Sequence, residues 1–230
     1  MAPSTPLHTR IPPPPAAGPA CFAATARRGV ARYGRGSVTP TRTFSADDLA
    51  VASRLVVAAW GAAVDRDWRV PAGPLEWSCW KTPEHTVDCV FSYAFFLASR
   101  ATAAYPPFDE LRALPEATPA DLGDGLRAAT TMLHAVIVTS DPQARAIIRQ
   151  RPRPVTGAPI EFAARGALEM VLHGHDVASG LGVHLRLPDD LARRLLGSTD
   201  GWPGAVPLGA TGDAWSDLIA RSGRPRPEPG

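Results

Sequence analysis

The sequence predicts an all-α protein, a four-helix bundle with a disordered N-terminal extension and short C-terminal helices. Three observations carry this prediction. Apolar residues recur at helical spacing in four long segments, capping signals bound those segments, and no stretch alternates apolar and polar residues in a persuasive series of strands. Long helices joined by connections of moderate length pack side by side.

Residues 1–43 hold eight of the 25 prolines, including the run Pro12 to Pro15, and show no apolar periodicity. They are expected to be disordered. Two other readings stay open. The Arg-rich, acid-free leader also fits a transit peptide, although it forms no clear amphipathic helix, and 23 Arg against one Lys (Lys81) fit a GC-rich genome in which Val30 or Val38 is the true start.

The bundle is expected over 44–182. Its first helix opens at the N-cap Ser45, with Asp47 and Asp48 where the helix dipole favours negative charge, and carries Leu49, Ala52, Val56, Val57, Trp60 and Val64 as an apolar stripe up to Asp65. The second lies within 78–103; it is apolar nearly all round and is expected to be central. The third runs from the N-cap Thr118, with Pro119 and Asp121 behind it, to Val138. Gly123 and Gly125 weaken its first turns by about 1 kcal/mol each. Asp141 to Gln150 is expected to add a short helix before the breaker Arg151-Pro152-Arg153-Pro154. The fourth helix covers 160–179 and stops at Gly180. Residues 183–230 form a C-terminal appendage with short helices near 188–196 and 213–221.

No apolar stretch approaches the roughly 20 residues that cross a bilayer. Three cysteines, Cys21, Cys79 and Cys89, are too few for a disulfide framework, so free thiols and a cytoplasmic location are expected. The first 44 residues contain six arginines and no acid, whereas from Ser45 onward 18 basic residues face 22 acidic ones. The folded part thus has no electrostatic footprint for nucleic acid. No phosphate-binding glycine loop, nucleophile elbow or Cys-x-x-Cys pair occurs.

Chemistry is concentrated on the second and fourth helices. Glu169, His173 and Asp176 stand at i, i+4 and i+7 and share one face, polar in a helix whose other positions look like core. A carboxylate and an imidazole one turn apart can reach one divalent cation. His85, Asp88 and Cys89 offer a second such face on the second helix. The bland alternatives are an exposed i,i+4 pair, a capping histidine and a packed cysteine. His175 points away from this face, and His134 is expected to be a core histidine.

Trp77-Ser78 with His85 eight residues after the tryptophan, followed by Glu169-x-x-x-His173-x-x-Asp176-Val177, resembles the N-terminal domain of mycothiol-dependent maleylpyruvate isomerases, within the DinB-like metal-binding four-helix bundles. The resemblance spans roughly three-fifths of the chain, from Ser45 to Gly182. It implies His85, Glu169 and His173 as ligands of a divalent metal, zinc above all, with mycothiol as co-substrate. It further implies an enzyme that activates a low-molecular-weight thiol or water for transfer to a small electrophile. Anchoring on Trp77 selects His85, whereas a helix N-capped by Thr82 puts Cys89 at the ligand position; a helix beginning at Ser78 would place Pro83 inside it as a kink. The 48 residues after Gly182 are too few for the full C-terminal domain of the maleylpyruvate isomerases themselves. The ending Asp213-x-Trp215 to Ser222-Gly223-Arg224 resembles the terminal segment of related actinobacterial proteins and offers no assignable chemistry. Asp176 or Asp88 is expected to orient a ligand imidazole. The rival reading is a non-catalytic metal-binding or structural module, and a homodimer is compatible with either.

Overall fold

The computed structural model describes residues 43–150, 153–199 and 205–227. All but the last residue of the expected N-terminal extension, Cys21 with it, and the first half of the Arg151 to Pro154 breaker lie outside the described residues. Among the described residues the chain is mostly helical. The elements run α1 (Ala46–Gly61), α2 (Lys81–Ser99), α3 (Pro119–Thr139), β1 (Ala146–Arg149), β2 (Val155–Gly157), α4 (Pro159–Leu181), α5 (Asp189–Gly197) and α6 (Ala214–Arg221). The four long helices pack around one core, in which α1 and α2 each lie against both α3 and α4.

The caps follow the sequence closely. The Asp48 N–H donates to Ser45 Oγ at 3.3 Å while the Ser45 N–H donates to the Asp48 carboxylate at 2.9 Å. Thr118 and Asp121 repeat this reciprocal pair at α3, which outweighs the weak helix propensity of Gly123 and Gly125. Helix α2 starts at Lys81, between the two starts that the sequence leaves open. Ser78 closes its entry, accepting the Lys81 N–H on Oγ at 3.1 Å and the Thr82 N–H on its carbonyl at 3.0 Å. Pro83 falls in the first turn, where a missing N–H sacrifices no intrahelical bond, so it needs no kink.

Three expectations are corrected. Helix α4, not α2, is central: Phe162, Met170, Val171 and Val177 on it are fully buried. Helix α2 buries Val90, Tyr93, Ala94 and Leu97 on one face and leaves Phe95 and Phe96 half-buried, where Phe108 and Tyr105 of the following loop pack on them with ring centroids 4.9 and 4.4 Å apart. The expected helix over 141–150 is instead a turn and the strand β1, antiparallel to β2, with Ala146 opposite Gly157 and Ile147 opposite Thr156. The β-branched pair Ile147–Ile148 favours extended backbone. The Ile147 N–H also donates to the Ala101 carbonyl at 2.7 Å, tying the end of α2 to the hairpin that leads into α4. Finally, α4 runs through Gly180 and is capped by Gly182 in the left-handed conformation (φ 67°). Gly180 serves close approach instead: a Cβ there would lie 2.3 Å from the Pro71 carbonyl oxygen and 2.7 Å from Cys79 Sγ.

Helices α5 and α6 form where the sequence places them. Leu191, Leu195, Trp215 and Leu218 from this segment are buried in the same apolar cluster as the four long helices. Arg194 of α5 donates to both carboxylate oxygens of Asp48 on α1, at 3.2 and 2.8 Å. Among the described residues no helix is long and apolar enough to cross a membrane.

Candidate functional site

Adjacent packing of α2 and α4 brings their two polar faces together. On α2, His85 and Cys89 are one turn apart, with His85 Nε2 3.3 Å from Cys89 Sγ. Opposite them, the carboxylate of Glu169 joins the pair, so that a ligating atom of each of the three residues lies within 4.8 Å of the others. His173, one turn further along α4, places Nε2 3.7 Å from Glu169 Oε2, and its ring centroid is 5.4 Å from that of His85. Trp77 closes one side. The loop between α1 and α2 folds back on itself through the Cys79 N–H to Val70 carbonyl and Ala72 N–H to Trp77 carbonyl bonds, both 2.8 Å, and sets the indole 4.9 Å from the His85 ring.

A buried set of partners orients these groups. His173 is 2% exposed and meets Asp176 Oδ2 through Nδ1 at 3.2 Å. Nδ1 of His173 is thus held by Asp176 while Nε2 faces Glu169. Asp176, fully buried, is gripped in turn by Arg224, whose Nε and Nη2 donate to its two oxygens at 2.7 and 2.6 Å. This fork is the geometry in which a guanidinium binds a carboxylate best. On the other side, Tyr93 donates its hydroxyl to Glu169 Oε1 at 3.2 Å, and Arg165 Nη2 approaches the same oxygen at 3.6 Å while its Nε donates to the Tyr93 oxygen at 3.0 Å.

Electrostatics sorts the protonation states. Burial pushes the Glu169 carboxyl up, but Arg165, His173, His85 and Tyr93 outweigh it and leave the group below its ordinary range. Asp176 behaves alike, with burial opposed by the hydrogen bonds from Arg224 and His173. Burial, reinforced by the charge of His173, pulls His85 below the usual imidazole value. An ionised Glu169 and a neutral His85 are the forms that bind metal.

The spacing can be tested against a cation. Zinc bonds of about 2.0–2.3 Å in a tetrahedron set neighbouring ligand atoms roughly 3.3–3.6 Å apart. The His85–Cys89 separation of 3.3 Å falls in that range and the His173–Glu169 separation of 3.7 Å just above it, and the N, S and O donors suit zinc. His85 and Glu169 thus lie together with Cys89, the alternative to His85, while His173 stands beside Glu169 and outside that group of three.

Other expectations fare differently. Asp176 supports His173 as anticipated, but Asp88 does not face the site; it accepts the Leu111 N–H at 2.8 Å and anchors the loop after α2. His134 is not in the core; it is partly exposed with Nε2 3.4 Å from Asp47. His175 packs edge-on against Trp215 and away from the cluster. Arg165, Tyr93 and Arg224 were not singled out by sequence reasoning. Arg165 carried a usable signal, since it stands one turn before Glu169 on the same face. Comparisons with protein-family models, with curated proteins and with solved structures give no match.

Proposed function

We propose that this chain is a metal-dependent enzyme of the mycothiol-dependent maleylpyruvate isomerase-like group, built as a DinB-like four-helix bundle. It activates a low-molecular-weight thiol such as mycothiol, or water, for transfer to a small electrophile in the cytoplasm. His85, Glu169 and His173 hold a divalent metal, zinc by the character of the donors. The observation that carries this reading is the approach of these side chains from α2 and α4, with Glu169 Oε2 3.7 Å from His173 Nε2, the His85 and His173 rings 5.4 Å apart, and His173 oriented by Asp176. A divalent cation at such a site lowers the pKa of a thiol or water that it binds toward neutrality. The residues do the rest. Glu169 supplies negative charge and is held by Tyr93 and Arg165, His173 presents Nε2, and Trp77 screens His85 from solvent on one side.

The test is the elemental content of untagged protein by inductively coupled plasma mass spectrometry, beside His173→Ala. Stoichiometric zinc, lost in the variant while helix content by circular dichroism is kept, supports the reading and calls for a screen of thiol transfer to electrophiles. Zinc retained in His173→Ala refutes the ligand assignment. One observation favours a second reading: Cys89 Sγ lies within the cluster. As a fourth protein ligand it would close the site and make the metal structural. Cys89→Ser separates the two, since loss of zinc supports the closed site and unchanged zinc supports the open one.

A further inference from the structure

We propose that Cys89 is itself a nucleophile, so that this site reacts with small, soft carbon electrophiles through a thiol carried by the chain. The inference concerns the same site as the proposed function but does not depend on its metal. It rests first on the contrast between the two described cysteines. Cys79 is fully buried, hydrogen-bonds weakly to the Pro71 and Val177 carbonyls at 3.6 and 3.7 Å, and has its thiol pushed up to about 11 by burial. It is structural and inert. Cys89 is partly exposed, and its sulfur has a basic nitrogen, His85 Nε2, at 3.3 Å. That arrangement is the signature of an activated thiol, a nucleophile within hydrogen-bond reach of its base.

The surroundings support the pairing. His85 Nε2 faces the sulfur and is placed to accept its proton. Trp77 gives the site an aromatic wall, suited to a small carbon skeleton.

Two electrophile classes fit, and both steps balance. With an alkyl halide, Sγ forms the S–C bond, the carbon–halogen bond breaks with its electron pair leaving on the halide, and the thiol proton passes to His85 Nε2. With an activated alkene, Sγ bonds one carbon, the π pair moves to the other, and that carbon takes up the proton relayed by His85. Neither step needs an oxidant or reductant.

The experiment uses the full chain, stripped of metal by a chelator and checked by elemental analysis. It is treated with iodoacetamide or N-ethylmaleimide, and peptide mass mapping follows adduct formation at Cys89 and Cys79 separately. Cys89 is expected to react at least about tenfold faster than Cys79, and His85→Gln to slow Cys89 alone by on the order of tenfold or more, since a positioned base contributes roughly 10²-fold or more. His85→Asn, compared by circular dichroism, guards against a folding artefact. Equal rates at the two cysteines, or a Cys89 rate unmoved in both folded variants, overturns the proposal. Zinc loading keeps the two ideas apart. Failure to take up zinc refutes the metal reading and leaves the Cys89 result standing. Complete protection of Cys89 by bound zinc makes it a ligand and overturns its role as a nucleophile in the loaded protein.

Discussion

Replacing Arg224 tests how the far end of the chain governs the site. Its guanidinium is 9% exposed and Asp176 is fully buried, so Arg224→Met strands a carboxylate in the interior. Removing one partner of a buried pair costs about 3–5 kcal/mol. The same change frees Asp176 from its fixed orientation and loosens the His173 ring that it steers, an effect on metal affinity of roughly 10- to 100-fold. Arg224→Lys keeps the charge but lacks the two-pronged fork, and should recover part of the stability and less of the affinity. Urea denaturation with chelator present measures the first quantity; competition for zinc against a chromophoric chelator measures the second. The double variant Asp176→Asn with Arg224→Met removes the stranded charge, so it should be more stable than Arg224→Met alone while binding zinc no better. Zinc affinity within about twofold of the parent in Arg224→Met would show that the network does not act on His173, and the reasoning would fall.

Two further outcomes are expected. Gly180→Ala gains about 1 kcal/mol of helix propensity but drives a methyl into the Pro71 carbonyl, and overpacking against backbone should leave a net loss of about 2 kcal/mol in urea denaturation; unchanged stability would mean that the loop before α2 yields freely. The Asp48–Arg194 pair gives a pH signature. Burial pushes the Asp48 carboxyl up, but hydrogen bonds from Arg194 and Ser45 prevail and hold it below its ordinary value. Its stabilisation is therefore complete above the unfolded pKa of about 3.9 and disappears as pH falls through the lower folded value. The stability gap between the parent and Asp48→Asn should be largest at neutral pH and shrink below pH 4, and a gap independent of pH would refute the pairing.

Local signals were readable wherever the relevant partner lay within a turn. Ser45 and Thr118 announced helix starts because a cap is satisfied three residues away, and Glu169, His173 and Asp176 announced a shared face because helix geometry fixes it. The sequence left open whether His85 or Cys89 belongs to the cluster; both do, because they sit one turn apart and α4 faces them together. Errors arose where tertiary contacts decide. The aromatic run on α2 looks like a core helix until Tyr105 and Phe108 of the next loop are seen to cover it. The strand β1 exists because β2 and Ala101 receive it. Arg224 lies 48 residues from Asp176, and no spacing rule links them.

The charge of the site bears on what it can bind. Glu169 and Asp176 face Arg165 and Arg224, two negative groups against two positive ones, and His85 is held neutral. Without a metal these two carboxylates are already matched by the two guanidiniums, which is why polar groups on a helix as buried as α4 can persist there. With His173 neutral, as a metal ligand must be, a dication would leave an excess of two positive charges in surroundings of low dielectric, where such an excess is costly. It can be met by ionising the Cys89 thiol, by an anionic ligand from solution, or by both. A neutral ligand relieves none of it. Thiols, which can enter as thiolates, and small carboxylates are therefore the compounds to test first against the zinc-loaded protein. Tighter binding of mercaptoacetate than of mercaptoethanol to a cobalt-substituted sample would follow from this balance. Equal binding of the two would mean that Cys89 and solvent already neutralise the ion.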